Sequence, residues 1–207
     1  MEQLILFLRR NPWARHGLSV LSIALVIAAV GLLGYPFYTN FQQNRLQGEK
    51  SRQLASPELR DAYTNRALRD GDALTRIQIP SLDVDVVVVE GTSASALRAG
   101  AGHYPSTPLP CEAGNVAIAG HRTTYGKPFA NVDRLKTGDV IVLETPIGKC
   151  TYEVNRAPFV VGPRDFSVIA NDPNSRSLTL TTCHPKGSAA KRLIVKATLT
   201  KDAAANA

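Results

Sequence analysis

The feature that most constrains this chain is a stretch without charge near its start. From Gly17 to Tyr38 the sequence reads GLSVLSIALVIAAVGLLGYPFY. As a helix rising about 1.5 Å per residue it reaches roughly 33 Å, enough to cross a hydrocarbon core of about 30 Å. Leu, Ile, Val and Ala fill it, and Tyr35, Phe37 and Tyr38 gather at one end, where aromatic rings favour the water–lipid boundary. A cleaved signal peptide would need a shorter apolar region and a small-x-small site, and the following YPFYTNFQQNRLQ offers none. Residues 17–38 therefore read as one uncleaved transmembrane anchor. Arg9, Arg10 and Arg15 precede it against Glu2 alone, which assigns residues 1–16 to the cytoplasm and everything after Asn40 to the outside. Arg45, Lys50 and Arg52 beyond the span weaken that asymmetry.

Residues 39–73 are polar and nearly charge-balanced, and read as a spacer with helical patches. One patch starts at Pro57, with Ser56 as its N-cap. From Leu74 the period changes. LTRIQIP alternates apolar and polar, VDVVVVEG is β-branched, and further strands are expected at 115–120, 139–145, 150–160, 177–183 and 192–199. Turn clusters such as KTGD, TPIGK and NDPNS separate them, and only 93–98 and 129–135 suit short helices. Many short strands joined by tight turns indicate a mostly β fold, a closed antiparallel or mixed barrel over 74–200, with 201–207 as a tail. From Leu74 onward fifteen basic residues face eleven acidic ones. They form no dense basic block or aromatic-interleaved stripe, which argues against nucleic acid.

Few side chains in the barrel region suit chemistry. Cys183 closes the alternating run SLTLTTC, and a thiol needs a base or a positive neighbour to become thiolate near neutral pH. His121 follows a strand and a glycine in NVAIAGHRTTYGKPF, at the start of a polar loop. His103, in GAGHYPSTP, has a similar setting without other support. His184 adjoins Cys183, so in an extended strand its side chain faces the other way, and it is a poor base for its neighbour. Zinc would call for Cys-x₂-Cys or His-Glu-x-x-His spacing, and neither occurs. Cys111 and Cys150 are either a disulfide, permitted outside the membrane, or two small buried hydrophobes.

TLTTC (Thr179–Cys183) resembles the TLxTC signature of sortases, the membrane-anchored cysteine transpeptidases of Gram-positive bacteria. AGHR (Ala119–Arg122) resembles their catalytic-histidine segment, and KRLIV (Lys191–Val195) the strand bearing their arginine, here Arg192. The resemblance spans roughly residues 74–200, and the anchor agrees with it. It implies an eight-stranded sortase-type barrel and a definite reaction. Cys183 attacks the Thr–Gly carbonyl of a C-terminal sorting motif, His121 serves as acid and base, and Arg192 faces the oxyanion.

HRTTYGKPF is most like class E, the housekeeping-type branch of high-GC Gram-positive bacteria, which tends to prefer LAXTG over LPXTG. Tyr125 would then line the pocket for the second motif residue, and Thr182 would hydrogen-bond in the substrate groove. The short loop CHPKGSAAKR also suits that branch. Pilin polymerases commonly carry an Asp-Pro-aromatic lid and a second, C-terminal span, neither of which is found. The expected partners are secreted proteins bearing a sorting signal and a peptidoglycan-precursor amine. No cofactor is expected, and no acidic cluster argues for the calcium stimulation that some sortases show. Three rival readings use the same chain: a cysteine peptidase that hydrolyses its substrate, a pilin-polymerising sortase, and a silent barrel that binds wall peptides.

Overall fold

The computed structural model describes residues 11–202. Glu2, Arg9 and Arg10, and all of the tail beyond Asp202, lie outside the described residues. The chain divides into two compact units that meet between Thr39 and Asn40. The first unit is helical, the leading part of α1 (Pro12–Leu54). Its apolar side chains are exposed, Ile27 at 67% and Val30 at 66%, and the helix is long and apolar enough to cross a membrane.

In the second unit, the last turns of α1 belong to the domain that carries the sheet. The segment read as a polar spacer thus stays helical to Leu54 and packs on the barrel through its amides. Gln47 accepts from the Val87 amide at 2.7 Å and donates to the Val87 and Ala99 carbonyls. Gln53 accepts from the Ala73 amide at 3.1 Å. Ser56 then caps α2 (Pro57–Thr64) as the sequence predicts, its hydroxyl accepting from the Leu59 amide, with Pro57 in the first turn.

Nine strands follow among the described residues. They are β1 (Ala73–Ile79), β2 (Val84–Glu90), β3 (Ala101–His103), β4 (Gly114–Ala119), β5 (Val140–Thr145), β6 (Gly148–Val154), β7 (Phe159–Val161), β8 (Arg176–His184) and β9 (Lys191–Asp202). A short helix, α3 (Ala94–Ala99), lies between β2 and β3. The sheet runs β6-β5-β1-β2-β3-β4-β8-β9, and β6 pairs again with β9. Eight strands therefore close a barrel. Strand β7 is the ninth, and pairs with the part of β9 that β6 does not reach. The predicted strand 150–160 is thus two strands. Residues 155–158 break it, because β9 takes β6 at its far end and β7 at its start.

Alternation decides what lines the interior. Val116 and Ile118 of β4, Leu178 and Leu180 of β8, and Leu193 and Val195 of β9 all enter the main core cluster. Their odd–even neighbours must face outward. Yet Thr179 and Thr181 are buried as well, Thr179 under residues 166–170 and Thr181 against the Tyr104 hydroxyl at 3.1 Å. Asn115 holds this covering in place by donating to the Val168 and Ala170 carbonyls while accepting from Thr179 at 2.6 Å. Lys196 donates to Val168 and Thr179 from the far side. Burial and the Arg156 charge both push its ammonium below the usual lysine range.

Candidate active site

Topology brings the sequence candidates to one end of the barrel. Strands β4 and β8 are parallel, so both carboxyl ends lie together, and β9 is antiparallel to β8, so its amino end lies there too. Cys183 pairs directly with Arg192. Ala119 pairs with Thr181, and continuing that register places His121 level with Cys183. The three residues thus form a row across β8, β9 and the segment that follows β4. By parity all three belong to the outward face, since Cys183 alternates with the inward Leu180 and Thr182.

Each is accessible to a degree that suits reaction. Cys183 is half-buried and carries a free thiol, while Cys111 and Cys150 are joined in a disulfide. His121 is half-buried, its ring centroid 5.3 Å from that of Tyr125. Burial lowers its pKa below the usual imidazole value of 6.5, which favours the neutral ring at pH 7. Arg192 donates to the Ala189 and Lys191 carbonyls at 3.0 and 3.1 Å. Those bonds hold the guanidinium against the β8–β9 loop, on a residue whose backbone pairs with Cys183.

The loop that carries His121 is tied back on itself. The Phe129 amide donates to the His121 carbonyl at 3.1 Å, and the Phe129 ring lies where a Cβ on Gly120 would stand, 2.5 Å from the nearest ring carbon. Glycine at 120 is therefore needed for the close approach. Tyr125, Gly126 and Lys127 all have positive φ, at 48°, 67° and 42°. Two of the three pay the Cβ penalty of the left-handed region.

Thr182 is 3% exposed on the inward face, and its hydroxyl donates to the Gly120 carbonyl at 2.7 Å. It links the thiol's strand to the residue before His121. His103 is fully buried: Nδ1 faces Glu90 at 2.9 Å, and Nε2 faces the Pro108 carbonyl at 2.9 Å. It is a structural histidine whose partners, Glu90, Pro108 and Thr107, do not include the row. His184 Nδ1 lies 2.9 Å from Arg122, a residue to which the sequence assigned no role of its own. A cavity of about 790 Å³ between Arg60, Arg76, Glu144 and Lys149 holds none of the row residues.

A family model described as the sortase domain matches residues 77–200. Sortase SrtE1 of Streptomyces coelicolor is 34% identical over 160 residues, covering 68% of this chain and 46% of that protein. The chain thus spans about half of that relative's length. Sortase D of Bacillus subtilis is 29% identical over 194 residues, covering 86% of this chain and 96% of the relative. Among solved structures, a Clostridium perfringens sortase D5 transpeptidase superposes with a TM-score of 0.67 at 31% identity, over 77% of this chain and 98% of that one. Sortase E of Streptomyces avermitilis gives 0.59 at 37% identity, over 64% and 91%. Class E relatives supply the higher identities of these four, at modest level, and class D relatives the longer matches. Matched across nearly all of its barrel, the chain belongs to the sortase family of cysteine transpeptidases.

Proposed function

We propose that this sortase cleaves a C-terminal LAXTG- or LPXTG-type motif between Thr and Gly and transfers the acyl group to a cell-wall precursor amine. The observation that carries the reading is the row of His121, Cys183 and Arg192, in which the backbone registers set the residue bearing the single free thiol opposite Arg192 and level with His121.

His121 takes the proton of Cys183, and the sulfur attacks the Thr carbonyl carbon. Charge that develops on the carbonyl oxygen faces Arg192, a preorganised donor. The C–N bond to Gly breaks as His121 returns the proton to the departing amine. The thioester left on Cys183 is then attacked by the acceptor amine, whose proton passes through His121 to the leaving sulfur. No cofactor enters these steps. Tyr125, in ring contact with His121, lines the wall for the second motif residue, and its presence favours LAXTG. Thr182 borders the groove from beneath and holds Gly120 in place.

Exported proteins bearing the motif are the substrates, which places the barrel outside the membrane. The basic residues before α1 support that orientation. The test is mass spectrometry of LAXTG and LPXTG peptides incubated with the protein, with and without an amine nucleophile. The reading expects an amine-capped LAXT product and an acyl-enzyme trapped on Cys183. Cleavage that never incorporates amine means a peptidase, and no cleavage of either peptide refutes the motif assignment.

A further inference from the structure

Arg122 is an arginine withdrawn almost wholly from water, at 5% exposure, one residue from His121. Burying a guanidinium is costly unless it is paired and hydrogen-bonded. The partners it has all lie at the reacting end of the barrel. Nη1 donates to the Cys183 carbonyl at 3.3 Å and to His184 Nδ1 at 2.9 Å. Nη2 pairs with Asp133 at 3.2 Å, in the 3-10 turn Val132–Arg134 where the His121 loop ends. Nε has no partner. Because Arg122 is always a donor, Nδ1 of His184 must present a lone pair, which puts that ring's proton on Nε2.

One side chain therefore spans three segments: the start of the histidine loop, its end, and the end of the nucleophile strand. It continues a ladder that joins the same two strands. Gly120 donates to the Thr181 carbonyl at 3.0 Å, and Thr182 donates to the Gly120 carbonyl at 2.7 Å. Beyond that pair no backbone bond between 121–122 and 183–184 is present, and Arg122 takes over where β4 stops. Its planar fork can hold a carbonyl, an imidazole and a carboxylate in one geometry, which an ammonium cannot do.

Resting on the roles assigned above to Cys183 and His121, we propose that Arg122 is a positioning residue that sets the spacing between them from beneath. It touches neither the substrate nor the reacting atoms. It stops the His121 loop from drifting away from the strand end that carries the thiol.

The test compares Arg122→Lys and Arg122→Met with Val154→Ala, a core change in β6 away from the site. All are assayed in the full chain well below their melting temperatures. Two readouts are taken: the kcat and KM split for the sorting peptide, and the rate of Cys183 alkylation by iodoacetamide. Both Arg122 variants should lose about 10- to 100-fold in kcat, the scale of a 1 Å misplacement, with KM within about twofold. Alkylation should slow by about tenfold in both, because the base no longer sits level with the thiol. The control should keep both rates.

Full activity in Arg122→Lys would mean that charge alone suffices and would overturn the spacing role. So would a loss confined to KM, or losses no larger than those of the control. If the wild-type protein turns over neither peptide, the motif assignment fails, and the alkylation arm alone decides the role of Arg122.

Discussion

An imidazole half-withdrawn from water gives up its proton more readily than a free one, and His121 is such a group. Its folded pKa lies below the unfolded value of about 6.5, so protonation favours the unfolded chain. The stability that this residue contributes is therefore complete above about pH 6.5 and is lost as pH falls from there through the folded value. In a Cys183→Ala protein, where the thiol cannot couple to the titration, NMR should find the His121 ring titrating below 6.5. A midpoint at or above that value would contradict the burial account. His103 offers the contrasting case. Both of its nitrogens face acceptors in the interior, one of them the Glu90 carboxylate, so it is bound as a unit with its partner. His103→Leu should cost about 1–3 kcal/mol in urea denaturation by leaving the Glu90 carboxylate without its hydrogen-bond partner. A loss below about 1 kcal/mol would show that Glu90 re-solvates freely.

At the scale of elements, the last turns of α1 matter more to the barrel than their polar composition suggests. Gln47 occupies the edge of β2 just before β3 begins to pair there, satisfying a backbone donor and two acceptors that no strand reaches. Gly100 lies so close that a Cβ would meet the Gln47 amide at 2.4 Å. Gln47→Ala should therefore destabilise the domain by about 1–3 kcal/mol for each buried group left unpaired, read as a lower midpoint in chemical denaturation. A chain that starts at Leu74 lacks this support altogether, and should melt well below one that starts at Asn40. Nearer the site, the Asn40 side chain accepts from the Gly126 amide at 3.2 Å. Gln43 fills the space into which a Gly126 side chain would project. The same helix thus braces the positive-φ segment that follows His121.

Sequence periodicity cannot reveal such docking. The amides of α1 bond to backbone brought near by the closed sheet, and neither their spacing nor their polarity distinguishes them from a solvated face. The strands themselves were readable, because Leu178 and Leu180, or Ile141 and Leu143, alternate at the period that a one-sided core demands. The three-residue strand β3 was not, since AGH carries no alternation and owes its existence to parallel pairing with β2 and antiparallel pairing with β4. Cys183, His121 and Arg192 stood out by residue type and motif. Arg122 did not, because what marks it is burial, and burial of a charged side chain leaves no local signature.

For the whole molecule, the disulfide between Cys111 and Cys150 joins the loop before β4 to β6 across 39 residues of sequence. By the loop-closure estimate its removal should cost about 4 kcal/mol, a loss that Cys111→Ser and Cys150→Ser should each show in denaturant midpoints. A thiol-specific reagent applied without reductant should find one reactive sulfur per native chain and three after reduction and unfolding. Two or more in the native protein would mean that the bond is not made. Such a bond suits an oxidising exterior, in keeping with the proposed placement of the barrel outside the membrane.

An odd number of thiols has a price during maturation. Three thiols can form one bond in three ways, and two of those consume Cys183. A newly exported chain oxidised before its strands are in register would be trapped, intact in mass yet unable to accept an acyl group. The order in which barrel closure and oxidation occur therefore decides what fraction of the enzyme ever becomes competent.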